Sequence, residues 1–325
     1  MRAKIFSMVK PDGNTVVASA RIARFLRDEL RLPLTCDASV ASEKLDVLLL
    51  VNGAFAFCKD LPALGAAIAD ARRLIWVQND YTIIPPDPDS KAQSPFRAAF
   101  RIRRERGLPD SEFWTTCSDR VLTERDRYVN WNCLAVDEER LMDDDAWGAC
   151  REHATADLFY YGSFRHTGGR MTRTVFYDRY FRDCPVPVTI SSPSKKFAER
   201  YGGALLLPKI PADEFMDTLA RRGLGLYVGD VASATAYHSP ACRFYEMLSA
   251  GLPMIFQPEA DQTMQKAGYH VPVHWQVKDA AGVAWAMERR GETGAYQRQA
   301  WKTLALRERR ELPELVRAAW LEVSR

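Results

Sequence analysis

Short apolar runs and stretches of helical spacing take turns along this chain, separated by turn residues. In the first half, apolar runs at 5–9, 45–51 and 74–77 predict strands, with helices over 18–30 and 61–71 between them. A further strand is predicted over 114–117. The second half repeats the theme, with strands at 158–161, 186–190, 205–207, 224–227 and 254–256. Helices are predicted over 171–181, 194–201, 211–221 and 242–250, and a last one over 312–323. The run Leu-Asp-Val-Leu-Leu-Leu-Val at 45–51 is apolar almost throughout, as a strand covered on both faces must be. Alternation of this kind predicts an α/β chain built on parallel sheets. Residues 81–94, rich in Pro and Asp, predict a long loop, and a long loop in a compact domain is more often functional than idle. Charged and small residues at 135–157 suggest a boundary. The expected division is 1–150, 151–305 and a C-terminal helix over 306–325.

A chain of 325 residues fits two domains of ordinary size. Its 47% apolar and 27% charged content is that of a soluble globular protein. A net charge of +3 is close to neutral, so any nucleic-acid affinity must come from a local patch. No apolar run is long enough to span a membrane, and the N-terminus reads as a first strand, not a signal peptide. The seven cysteines are scattered, with no Cys-x-x-Cys, which predicts reduced thiols in a cytoplasmic compartment.

Candidate chemistry concentrates in a few places. The run Arg243-Phe-Tyr-Glu246-Met-Leu-Ser-Ala-Gly251-Leu-Pro253-Met-Ile-Phe predicts helix, tight turn and parallel strand. Arg243 and Glu246 stand three apart on one helix face, near a start marked by Tyr237-His238-Ser239-Pro240. Such a pair at the carboxyl end of an α/β sheet suits a ligand carrying phosphate and hydroxyl groups. The segment Gly162-Ser163-Phe-Arg165-His166-Thr-Gly-Gly169-Arg170 falls at a strand-to-helix turn. It reads as a phosphate-binding loop or as a solvated basic loop. Trp76-Val-Gln78-Asn79-Asp80-Tyr81 ends a predicted strand, and Asp80 either serves a site there or caps the following loop. Five Arg and two Phe fall within residues 96–106, among them Arg97, Arg101, Arg103 and Arg104. The cluster fits a nucleic-acid contact or a solvated helix face. Asp143-Asp144-Asp145 follows no strand and reads as surface, so no metal site is expected.

The 243–255 run resembles the donor-site motif of GT-B glycosyltransferases, in particular retaining, family 4-like members. The resemblance implies a GT-B fold, two Rossmann-like domains with parallel sheets facing a central cleft. It implies an N-terminal acceptor domain, a C-terminal nucleotide-sugar domain, and a final helix packing back on the first. Glu246 would hold the donor's ribose, and Arg243 would face its diphosphate together with Arg165 or Arg170. Lys209 would lie near the base or ribose, and Gly13 would replace the family's Gly-rich turn. His238 stands where many retaining members carry a second Glu, eight positions before Glu246, and this departure obscures which sugar hydroxyls are contacted. Gln78-Asn79-Asp80 is similar to the Gln-His-Asp of phage DNA α-glucosyltransferases, which implies Asp80 beside the attacking hydroxyl. The implied activity is transfer of a hexose with retention from a nucleotide sugar, UDP-glucose or similar, as co-substrate, with no cofactor required. The implied acceptor is a 5-hydroxymethyl or hydroxy pyrimidine in double-stranded phage DNA, in the host cytoplasm if the chain is phage-encoded. Alternatives are a bacterial saccharide or small-metabolite acceptor, a non-catalytic nucleotide- or DNA-binding protein of this fold, and a sugar-nucleotide epimerase. Oligomeric state stays open.

Overall fold

The computed structural model describes residues 1–8, 17–39, 44–51, 58–79, 97–109, 111–118, 123–162, 164, 173–192, 194–229 and 238–325. Backbone contacts divide the chain into Met1–Leu134 with Arg310–Arg325, and Ala135–Arg309. The division falls earlier than the 150 of the sequence reading, because the helices Glu138–Met142 and Asp144–Glu152 belong to the second unit.

The first unit is built on β1 (Ala3–Ser7), β2 (Leu34–Thr35), β3 (Val47–Val51), β4 (Arg73–Gln78), β5 (Glu112–Thr115) and β6 (Arg127–Tyr128), ordered β2-β1-β3-β4-β5-β6. Every pairing is parallel. All five residues of β3 are buried, which is why its sequence is apolar on both faces. In register, Leu48 and Leu50 stand beside Leu74 and Trp76. All four pack into one core with Leu64 and Ile68 of the helix Leu61–Asp70. That helix starts where Asp60 accepts from the Ala63 N–H, with a proline in the first turn.

The second unit carries β7 (Leu158–Tyr161), β8 (Val188–Ser191), β9 (Leu205–Leu207), β10 (Leu224–Tyr227) and β11 (Met254–Phe256), ordered β11-β10-β7-β8-β9 and again wholly parallel. The helix Arg173–Phe181 brings Phe176, Tyr177 and Tyr180 onto Tyr160 and Ile190.

The two-residue strands β2 and β6 escape sequence patterning, because two residues show no period. The expected helix 211–221 forms only over Phe215–Ala220. The last helix is the largest correction. It runs Arg290–Ser324, through Pro313, and not merely over 312–323. Its last part groups with the first unit. There Leu312, Val316, Ala319 and Val323 are buried on one face, while Leu315 and Leu321 are 44% and 57% exposed. Arg73 ties that end down by donating to the Val323 carbonyl at 2.8 Å and to both Glu112 oxygens. Asp144, in the acidic triplet, accepts from Arg298 Nε at 2.7 Å and Lys302 Nζ at 3.1 Å.

Candidate functional site

In the second sheet the chain leaves β7 towards β8 and β9, then returns to β7's other edge with β10 and β11. The order of strands reverses between β7 and β10, and ligands of open α/β sheets gather at the carboxyl ends beside such a reversal. Arg243 sits there. It comes from the first turn of the helix Cys242–Ser249. Its Nη1 donates to the Val228 carbonyl just past β10, at 3.2 Å. Its guanidinium lies over the rings of Tyr160 and Tyr161 at the end of β7, 4.7 and 5.1 Å from their centroids. Nη2 donates towards the Tyr160 hydroxyl, which itself pairs with the Tyr177 hydroxyl at 2.8 Å.

The next residue, Gly162, has φ +137, a conformation closed to L side chains. A Cβ there would stand 2.6 Å from Arg243 Nη2. The glycine is therefore what lets the guanidinium lie against the end of β7. Burial works against the Arg243 charge, yet the oxygens of Tyr160, Tyr161, Tyr177 and Glu246 raise its pKa above the ordinary arginine value. The cation is permanent, and its Nε has no hydrogen-bond partner.

Glu246 lies one turn further on and is buried. Tyr161 Oη–H donates to its Oε2 at 2.8 Å, which orients the carboxylate at the same strand end. Two more buried polar atoms here lack partners. One is the Ser239 hydroxyl, and the other is Oε1 of Gln257, whose amide donates to the Gly229 carbonyl at 3.0 Å. Arg243, with Ser239 and Gln257, makes a strand end lined by uncompensated donors and one acceptor, as an anionic, hydroxyl-bearing ligand requires.

The glycine of the motif has a structural role. Gly251 follows the helix with φ +69. The Leu252 N–H reaches the Met247 carbonyl and the Gly251 N–H the Leu248 carbonyl, a Schellman ending. A Cβ on Gly251 would collide with Trp147, whose Nε1 donates to the Gly251 carbonyl at 2.9 Å.

His238 is exposed before this helix, and partial burial, then the charge of Lys266, push its pKa below the ordinary value. Lys209 is exposed two residues past β9, two strands from β7 and hence about 10 Å across the sheet. Arg165, Arg170, Gly13 and Asp80 lie outside the described residues.

In the first unit the arginine cluster divides. The helix Arg97–Glu105 exposes Arg97, Arg101 and Arg104, which at this spacing share one face. Arg103 is a correction to the expected nucleic-acid contacts. It is 0% exposed and donates to the carbonyls of Ile68, Ala71, Arg72 and Pro109. Its guanidinium closes the carboxyl end of the helix Leu61–Asp70 and is not available to a ligand. At the end of β4, Gln78 is buried, and Asn79 donates to Asn132 at 3.1 Å.

The sequence singles out neither Tyr160, Tyr161 nor Gln257, and marks Ser239 only as part of a helix start. The two tyrosines were detectable in principle, since they close a predicted strand directly before Gly162. Among the described residues no three His, Cys, Asp or Glu side chains gather into a metal site. No described helix is long and apolar enough to cross a membrane.

No protein-family model matches the chain, and no curated protein matches it by sequence. Solved structures do match. T4 phage beta-glucosyltransferase in complex with its UDP-glucose substrate is similar at 13% identity, with 99% of each chain covered and a TM-score of 0.64. The same enzyme with UDP and Mn2+ is similar at 15% identity, again over 99% of each chain, with a TM-score of 0.65. An alpha-glucosyltransferase in complex with UDP and a 13-mer DNA containing a HMU base is similar at 10% identity over 100% of each chain, with a TM-score of 0.52. At such identities the likeness is one of fold, and this chain has the α/β, GT-B fold of the phage DNA glucosyltransferases.

Proposed function

We propose that this protein is a DNA glucosyltransferase, moving glucose from UDP-glucose to the hydroxyl of a 5-hydroxymethylpyrimidine in double-stranded DNA. The observation that carries the reading is Arg243. It is a permanent cation at the topological reversal of the second sheet, set against a glycine and left with an unpartnered Nε. Full-length similarity to enzymes crystallised with UDP-glucose and with DNA supports the same reading.

As the bond from the anomeric carbon to the diphosphate breaks, negative charge builds on the leaving phosphate oxygen. Arg243, with Arg165 and Arg170, neutralises that charge. Glu246, its carboxylate oriented by Tyr161, accepts from the ribose hydroxyls. Lys209 extends the site towards the nucleotide. Gly13 offers backbone N–H groups to phosphate. His238, with its lowered pKa, is neutral at pH 7 and acts as a hydrogen-bonding group near the sugar. Asp80 is the acceptor-side carboxylate beside the attacking hydroxyl. Arg97, Arg101 and Arg104 contact DNA phosphates. No cofactor beyond the nucleotide sugar is required.

The anomeric outcome has two supports that disagree. The motif resemblance favours retention. The higher TM-score to the beta-named enzyme, 0.64 against 0.52, favours the opposite linkage. Proton NMR of the glucosylated nucleoside decides, since the anomeric coupling differs between α and β products.

The function is tested by mixing the protein with UDP-sugars and duplexes carrying 5-hydroxymethylcytosine or 5-hydroxymethyluracil, then weighing the digested nucleosides. A hexose-sized mass gain on one nucleoside is expected. UDP binding without any transfer to DNA would move the acceptor to saccharides or metabolites.

A further inference from the structure

We infer that Gln78 holds the Watson–Crick edge of the acceptor pyrimidine during transfer. The inference rests on the DNA-acceptor reading above and extends it to a base-binding residue.

Gln78 is the last residue of β4, at the carboxyl end of the first sheet. It is 1% exposed, yet neither its Nε2 nor its Oε1 has a hydrogen-bond partner. Its described neighbours supply none. In register it stands beside Thr115, whose hydroxyl already accepts from the Cys117 N–H at 3.0 Å. Thr116 meets Gln78 through the main chain, its N–H donating to the Gln78 carbonyl, and its own hydroxyl is also buried and unpartnered.

A buried amide with both ends unmade is costly, and an apolar side chain of the same shape would avoid the cost. Alternation along β4 puts Leu74 and Trp76 on the same face, so apolar residues are what this face otherwise holds. An unmatched polar group in a native interior calls for an explanation. Here its place supplies one, because Gln78 ends β4 on the carboxyl edge of the sheet, the edge on which open α/β sheets bind ligands, one strand beyond the reversal between β1 and β3.

The chemistry of the side chain then selects the ligand. A primary amide offers one acceptor and one donor side by side in a plane. The pyrimidine edge is complementary in either form. Cytosine donates from N4 and accepts at N3, and uracil donates from N3 and accepts at O4. An enzyme acting on a base takes it out of the stack, which frees that edge for such a pair. A phosphate would satisfy only the amide's donor, and a cation only its acceptor.

The test uses full-length protein, UDP-glucose and duplexes carrying a single 5-hydroxymethylcytosine or 5-hydroxymethyluracil. Gln78→Met keeps the length and removes both polar atoms, and Gln78→Glu keeps only an acceptor. Both variants should bind UDP in calorimetry as wild type does. On the preferred base kcat/KM should fall on the order of 10- to 100-fold. Thermal stability of Gln78→Met should be unchanged or raised, because no native hydrogen bond is lost. Activity of Gln78→Met within about twofold of wild type on both duplexes would overturn the assignment, that being well below a bidentate base contact. So would a lowered Tm with unchanged kcat/KM, which is the mark of a structural role. Absence of transfer by wild type would sink the DNA-acceptor reading and this one with it, a failure visible without any variant.

Discussion

Replacing Gly162 by Ala tests whether the strand end was shaped for the arginine. The new methyl would enter a backbone of φ +137, which costs about 1–3 kcal/mol in a residue with a side chain. It would also stand 2.6 Å from Arg243 Nη2 and 3.3 Å from the Tyr160 hydroxyl oxygen, so the guanidinium must move off the end of β7. Losing one hydrogen bond between a guanidinium and a phosphate removes about 1.5–3 kcal/mol. UDP-glucose should therefore bind roughly 10- to 150-fold more weakly. Calorimetry of UDP-glucose against wild type, Gly162→Ala, Arg243→Ala and the double variant measures this directly. If the methyl acts by displacing the guanidinium, the double variant binds no worse than Arg243→Ala alone. Penalties that add, or wild-type affinity in Gly162→Ala, would refute the placement of Arg243 as the phosphate-binding group.

Tyr161→Phe removes the hydroxyl that orients Glu246 and should weaken UDP binding by about 1–2 kcal/mol while leaving the fold intact, as read by calorimetry beside a thermal melt. Arg103→Leu should destabilise the protein by about 3 kcal/mol or more, because it strips donors from buried carbonyls. Exchanging Arg97, Arg101 and Arg104 for Gln should leave the melt unchanged but reduce DNA affinity and flatten its salt dependence. Asp178 accepts from Arg200 Nε at 2.9 Å and from the Tyr201 hydroxyl at 2.8 Å, and chiefly the Arg200 bond lowers its pKa below 3.8. A carboxylate with a lowered folded pKa contributes stability above its unfolded pKa and loses it as the pH falls through the folded one. The stability difference between wild type and Asp178→Asn should thus be full near neutrality and close as the pH drops below 3.8, in urea titrations at stepped pH.

Legibility followed the length of the pattern. The buried strands β3, β4, β7 and β10 are continuous apolar runs, and their positions in the chain matched within two residues. The edge strands β2 and β6 did not show, since two residues carry no period. The last helix was legible only over 312–323, where apolar spacing is clear, while the structure continues one helix from Arg290 to Ser324 through Gly291, Gly294 and Pro313. Arg97 to Arg106 looked like one basic patch, and only the fold separates the exposed Arg97, Arg101 and Arg104 from Arg103, which is enclosed by carbonyls.

The sequence by itself determined the α/β class, most strand positions, and the helix that carries Arg243 and Glu246, because periodicity and a long ordered motif are local properties. Only the tertiary structure decided what surrounds that helix. Arg243 faces Tyr160, Tyr161 and Gly162 because β7 and β10 lie side by side in the sheet, although more than sixty residues separate them in the chain. Strand order is set by long-range pairing and crossovers, and so is the burial that leaves Gln78, Ser239 and Gln257 with unmatched polar atoms. No local pattern of hydrophobic and polar residues encodes which strand ends meet.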